Sequence, residues 1–218
     1  MQVKLINLRK IIIISLLIAL SFVLDMLSKY IYISNIMVPV MYIKFFIIAG
    51  IPLMLMVIIL EFRYAFLGIV IYSLICFFMN NLPNYAYLFE TYGRFSGISR
   101  SKWMFLNALT NFFIPCLSYL FLSFAYNKNI NNFSKNIYQI FLCLLLMICV
   151  QVISKTFNGY YLWFSSIQKG FNLKHKDHVF LIIFCLNVVP NLTMNLFNFF
   201  CCSKILSRCK NIKFFKTL

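Results

Sequence analysis

Acidic residues are nearly absent. Asp25, Glu61, Glu90 and Asp177 are the chain's four, against 20 lysines and arginines. They are scattered, so the sequence offers no carboxylate cluster of the kind that general acid–base or divalent-metal chemistry requires. Histidine is limited to His175 and His178, and an HxxH pair without further ligands makes a poor metal site. No P-loop is present, so the chain cannot drive a reaction with ATP by itself. The eight cysteines form no CxxC pair. Cys76, Cys116, Cys143, Cys149 and Cys185 lie inside apolar runs, where cysteine acts as a small hydrophobe. Cys201, Cys202 and Cys209 lie at the end of the last such run. Neither a disulfide framework nor a zinc site follows. No enzyme activity, metal or cofactor is expected.

What the chain has instead is apolar surface. It is 63% hydrophobic and 11% charged, more than a soluble domain of this size can bury, which makes it an integral membrane protein. Backbone groups in lipid must be bonded internally, which permits helices or a closed barrel. Long unalternating runs of Ile, Leu, Phe and Met exclude the barrel. The expectation is an all-α membrane protein, residues 1–218 forming a single bundle of about six transmembrane helices.

The spans read from the hydropathy pattern are 11–27, 45–60, 64–79, 103–126, 137–164 and 179–206. The first resembles a signal peptide in outline but lacks a small-x-small cleavage site and carries Asp25, so it reads as a retained helix. Ser15 and Ala19 on it are four apart, a spacing of small residues that lets another helix approach closely. Ser28 to Lys44 reads as a mixed loop. Gly50-Ile-Pro52 reads as a kink or re-entry. Asn80 to Lys102 reads as a long polar, tyrosine-rich segment, either a lid or an insertion. Ser165 to His178 reads as a further loop.

The net charge of +16 falls in the connections and tails, where it orients the chain and meets anionic lipid rather than nucleic acid. Six helices put both ends on one side, with eleven cationic residues there and eight on the other. The positive-inside rule then places both termini in the cytoplasm of a multi-pass protein of the cell membrane.

The most informative stretch is Gln151 to Trp163, which continues the fifth apolar run without a turn. It holds Lys155, Asn158, Gly159, Tyr160, Tyr161 and Trp163. An amine near the bilayer centre costs about 2.5–3.5 kcal/mol on insertion scales, a cost that marks a pocket unless the side chain snorkels to the membrane face. Trp163, Tyr160 and Tyr161 can stack on a flat ring, with Lys155, Asn158, Thr110 and Asn111 fixing its edges. The alternative is that these aromatics are interfacial belt residues.

Several segments, in order, resemble the substrate-binding (S) components of energy-coupling factor vitamin transporters, most closely the thiamine-specific branch. Ser15-Leu-Leu-Ile-Ala19 looks like the family's AxxxA first helix, and Gly50-Ile-Pro52-Leu-Met-Leu like its opening after the first loop. Arg63 to Gly68 resembles its third-helix entry, and Asn111-Phe-Phe-Ile-Pro115 a segment with an acidic residue followed by proline. Lys155-Thr-Phe-Asn158-Gly159-Tyr160-Tyr-Leu-Trp163 has the spacing of its HxxSGxxFW motif. Asn187 to Asn191 falls where its last helix carries a ligand-binding asparagine.

The resemblance implies a subunit that captures a small water-soluble vitamin at the outer face, thiamine or a related compound. A transmembrane coupling protein and two cytoplasmic ATPases would energise uptake. Trp163 would take the position of a ring-stacking tryptophan and Lys155 that of the pocket histidine. Thr110 or Asn111 would replace the pocket carboxylate, and Tyr42 or Ile43 a first-loop tryptophan. Gly159, Tyr160, Asn187 and Asn191 would complete the site, while Ser15 and Ala19 would dock on the coupling protein. The exchange of a carboxylate for an amine keeps an anionic vitamin, such as a flavin or folate, open as an alternative, as is a membrane protein without a ligand.

Overall fold

The computed structural model describes residues 2–30, 35–38, 41–44, 48–91, 93–125, 136–172 and 175–209. Helix α1 (Gln2–Tyr30) is followed by a small antiparallel hairpin, β1 (Asn35–Val38) with β2 (Met41–Lys44). Then come α2 (Gly50–Ile59), α3 (Phe62–Cys76), α4 (Leu82–Thr91), α5 (Arg100–Ala108) and α6 (Ile114–Ser118). The chain ends in α7 (Ile137–Leu162), α8 (Phe164–Gly170) and α9 (Lys176–Cys209).

Five helical stretches are long and apolar enough to cross a bilayer: Asn7–Ser28, Phe62–Met79, Arg100–Phe124, Ile137–Leu162 and Lys176–Arg208. Their outward faces carry Leu16, Phe66, Phe105, Ile153, Leu181 and Phe200, all exposed. Such a surface suits lipid rather than water. The architecture is therefore an all-α membrane bundle, with the hairpin as its only strands among the described residues.

The sixth hydrophobic element, expected over 45–60, is different. Helix α2 has ten residues, about 15 Å at 1.5 Å each, half of a bilayer core. Every residue from Pro52 to Leu60 is buried, so α2 fills the inside of the bundle between α1, α9 and the segment Tyr119–Phe124. Its first residue must be small: a β-carbon on Gly50 would stand 2.4 Å from Asn198 Nδ2 and 2.9 Å from the Tyr119 hydroxyl.

Two prolines shape the next two spans in the same way. Proline lacks the N–H a helix needs and its ring clashes with the carbonyl four residues back. Before Pro83 and before Pro115 the chain widens into one π-helical turn, Phe77–Asn81 and Leu109–Phe113. The residue preceding each proline then bonds five residues back, Leu82 to Phe77 O and Ile114 to Leu109 O. Helix α3 thus runs on through the turn into α4. The expected polar loop over Asn80 to Lys102 is in fact largely helical, because Tyr85 and Phe89, one turn apart, both bury an apolar face. The expected loop over Ser165 to His178 is likewise mostly helix, α8 and the start of α9. The mixed loop after α1 holds the hairpin.

The bundle has two cores. At one end Ile13, Ile14, Leu60, Leu122, Ile140 and Leu206 pack together, and Lys10 Nζ reaches Glu61 Oε1 at 2.6 Å. At the other end Tyr85, Phe89, Trp103, Trp163, Val179 and Ile183 form an aromatic-rich cluster. Helix α9 crosses from the second core to the first, so α1 begins and α9 ends at the same end of the bundle.

Candidate functional site

Between the two cores lies a polar seam. On α7, Gln151, Ser154, Lys155 and Asn158 follow i, i+3, i+4, i+7, one helical face. On α9, Asn187, Asn191, Asn195 and Asn198 follow i, i+4, i+8, i+11, again one face. The two faces meet near the middle of both helices. Lys155 Nζ donates to Asn191 Oδ1 at 2.8 Å, and Asn195 Nδ2 donates to Gln151 Oε1 at 2.8 Å. Gln151, Asn158, Asn191 and Asn195 are 2%, 2%, 3% and 0% exposed, so their amides have no access to solvent and must bond within the protein.

The third side of the seam comes from the proline-widened turn. Its Thr110 carbonyl accepts from Ser154 Oγ at 2.5 Å. Asn158 Nδ2 donates to Asn107 Oδ1 and to Thr110 Oγ1, both at 2.8 Å. Gln151 Nε2 donates to Pro115 O at 3.2 Å and to Ser118 Oγ at 3.0 Å, and the Tyr119 hydroxyl also hydrogen-bonds to Gln151. Along α9 the asparagines bond back one turn, Asn187 to Ile183 O, Asn191 to Asn187 O and Asn195 to Asn191 O. This back-bonding fixes their rotamers and turns the Asn191 oxygen toward Lys155.

Gln151 is the node joining three segments. Gln151→Leu is expected to destabilise the purified protein by about 1–3 kcal/mol, because it strands buried partners rather than removing a matched pair. Thermal unfolding in detergent measures this.

The sequence-predicted residues are partly brought together. Lys155, Asn158, Thr110, Asn187 and Asn191 share the seam, and Gly159 lies beside it, where a β-carbon would stand 2.6 Å from Ile183 Cγ2. Lys155 is half-buried with its amine turned inward to Asn191. Asn111 is half-buried and hydrogen-bonds to Tyr85. Trp163, 4% exposed, lies two turns beyond Lys155 in the aromatic cluster, edge-on to Trp103 with ring centroids 5.3 Å apart. Tyr160 is not brought in: it is exposed on the outer face against Phe164 and Phe180. Tyr161, also exposed, stacks on Phe157. Tyr42 and Ile43 lie in β2, and their side chains are outside the described residues. Ser15 and Ala19 are exposed on α1.

Sequence reasoning missed Gln151, Ser154, Asn107, Ser118 and Asn195 as members of the site. The signal was available for α9, since Asn187, Asn191 and Asn195 repeat at four-residue spacing inside an apolar run. Asn107 and Ser118 could not be found that way, because the turn before Pro115 shifts the faces on either side of it. Among the described residues no cluster of three or more His, Cys, Asp or Glu could hold a metal ion. No protein-family model, curated protein or solved structure matches the chain.

Proposed function

We propose that this protein is a membrane-embedded solute-binding subunit of an uptake system. It takes a small water-soluble vitamin at the outer face and relies on partner proteins for energy. The observation that carries the reading is the seam of buried amides and one amine at mid-membrane. Polar and ionisable side chains in this setting are costly and mark solute or ion pathways. Ligand sites in helix bundles are built from facing side chains of neighbouring helices. The resemblance to S components of energy-coupling factor transporters supplies the class. Thiamine is then the first solute to test, with a transmembrane coupling protein and two cytoplasmic ATPases as partners, and both termini in the cytoplasm of the cell membrane.

The exposed Ser15 and Ala19 on α1 suit the docking role this reading gives them. Small residues let a second helix pack against the backbone, and neither side chain contributes to the seam. Ala19→Trp is therefore expected to abolish uptake of whichever radiolabelled vitamin the wild-type chain binds, thiamine and its phosphate being tried first, in cells carrying the whole transporter, while the purified variant still binds it. Uptake that survives Ala19→Trp removes the docking role. Failure of the folded wild-type chain to bind thiamine removes thiamine as the solute.

A further inference from the structure

We infer that the solute held by this seam carries an anionic oxygen group, a carboxylate or a phosphate, that lies against the Lys155 amine. The inference rests on the solute-binding reading and adds the substrate's charge. Lysine carries one positive charge and three donors. Among the described residues, Lys155 has a single hydrogen bond, to the neutral Oδ1 of Asn191.

None of the ion pairs among the described residues includes Lys155. Glu61 holds Lys10 at the far end of the bundle. Glu90 holds Arg94 and Arg100 beyond the aromatic cluster. Asp177 is exposed in the first turn of α9. Asp25 is on α1, which packs against α2 and α3. The chain therefore brings a cation inside a membrane-spanning helix with no acidic side chain in ion-pair contact with it among the described residues.

The hydrogen-bond inventory points the same way. Two Lys155 protons have no acceptor among the described residues. One helical turn along α7, Asn158 leads to Asn107, which is fully buried and whose Nδ2 also has no partner among them. Fewer acceptors stand against these donors: Asn195 Oδ1 and, one turn further along α9, Asn198 Oδ1. A carboxylate or phosphate, being acceptor-only when ionised, matches that surplus and forms the stronger, charge-assisted bonds. A cationic ring at the same place meets a like charge. Lys155 lies seven residues from the end of α7, about 10 Å of helix inside the membrane end, which separates it from lipid headgroups.

The test is thermal unfolding of the full chain in neutral detergent with matched probes that differ in one anionic group. Suitable pairs are thiamine monophosphate with thiamine, pantothenate with pantothenol, biotin with biotinamide, and nicotinate with nicotinamide. An anionic member should raise the unfolding midpoint and its partner should not. Lys155→Gln and Lys155→Met should lose that shift, and Lys155→Arg should keep it. Equal shifts from both members of a pair, or a shift kept in folded Lys155→Gln, overturn the inference. If the charge-free variants do not fold, the wild-type pairs decide alone. Stabilisation by thiamine but by no anionic probe overturns the anion and leaves the solute-binding reading standing. Silence from every probe, with the protein folded, overturns both. A shift produced by added phosphatidylglycerol and lost in Lys155→Gln assigns the amine to lipid and also overturns the inference.

Discussion

Trp103→Ala is expected to lower the stability of the protein by about 3–5 kcal/mol, the range for deleting a large aromatic from a well-packed core. Trp103 is 0% exposed. Its ring meets Trp163 edge-on at 5.3 Å and Phe89 at 5.7 Å between centroids. Its indole Nε1 donates to Leu162 O at 3.5 Å, at the last residue of α7. One side chain thus ties the start of α5 to the end of α7. In lipid the transfer of apolar area contributes little to helix association, but dispersion contacts and interhelical hydrogen bonds remain, and Trp103 supplies both. Alanine would leave a void ringed by Trp163, Phe89 and Gly93 and free the Leu162 carbonyl. Phe105→Ala, two residues on, is the control: Phe105 is 66% exposed and should cost no more than about 0.5 kcal/mol. Unfolding midpoints of the two variants measure the difference, and equal losses would mean that the aromatic cluster is not a packed core.

The second large effect is at Gly159, where α7 packs directly against Ile183 of α9. Any β-carbon there would stand 2.6 Å from Ile183 Cγ2. Ile183 is 1% exposed and β-branched, so it has few rotamers into which to retreat. Gly159→Val must push the helices apart, at about 1–3 kcal/mol for overpacking of this kind. The functional loss should exceed the loss of stability. The Lys155–Asn191 and Gln151–Asn195 bonds, both 2.8 Å, span the same two helices and lengthen with them. Solute binding is therefore expected to vanish in a variant that still folds. Adding Ile183→Ala should restore part of both properties, since contacting residues are coupled. Independent, additive effects of the two changes would place the helix contact elsewhere.

The class and the long spans were legible because runs such as Ile140 to Val150 have one physical solution in lipid. The short α2 was not: a continuous apolar run does not say whether it crosses the membrane or fills its interior. The 82–91 helix was hidden by Pro83, which reads as a breaker. The π-helical turn that accommodates it depends on how α3 and α4 pack. Lys155 was legible as an intramembrane charge and Asn191 as a member of the same site, but not the bond between them, since asparagines on an apolar helix carry no mark of direction. Trp163 was legible as a ring-stacking or interfacial aromatic at the end of its span, but its contact with Trp103 joins residues 60 apart and has no local signature. Tyr160, three residues before Trp163, falls on a different face of α7, a distinction that motif spacing alone does not make.

The contact between the two tryptophans also supplies the most direct measurement. Trp103 and Trp163 are the chain's only tryptophans and share one cluster at the Asn158 end of the seam. Intrinsic fluorescence of the detergent-purified protein, titrated with thiamine, its phosphates, riboflavin, folate, pantothenate and biotin, reads that place. The account predicts a saturable change with one compound, absent in folded Gln151→Leu, whose tryptophans are unchanged. A folded wild-type protein that responds to none of them, or a response that persists in Gln151→Leu, would contradict a solute site between α7 and α9.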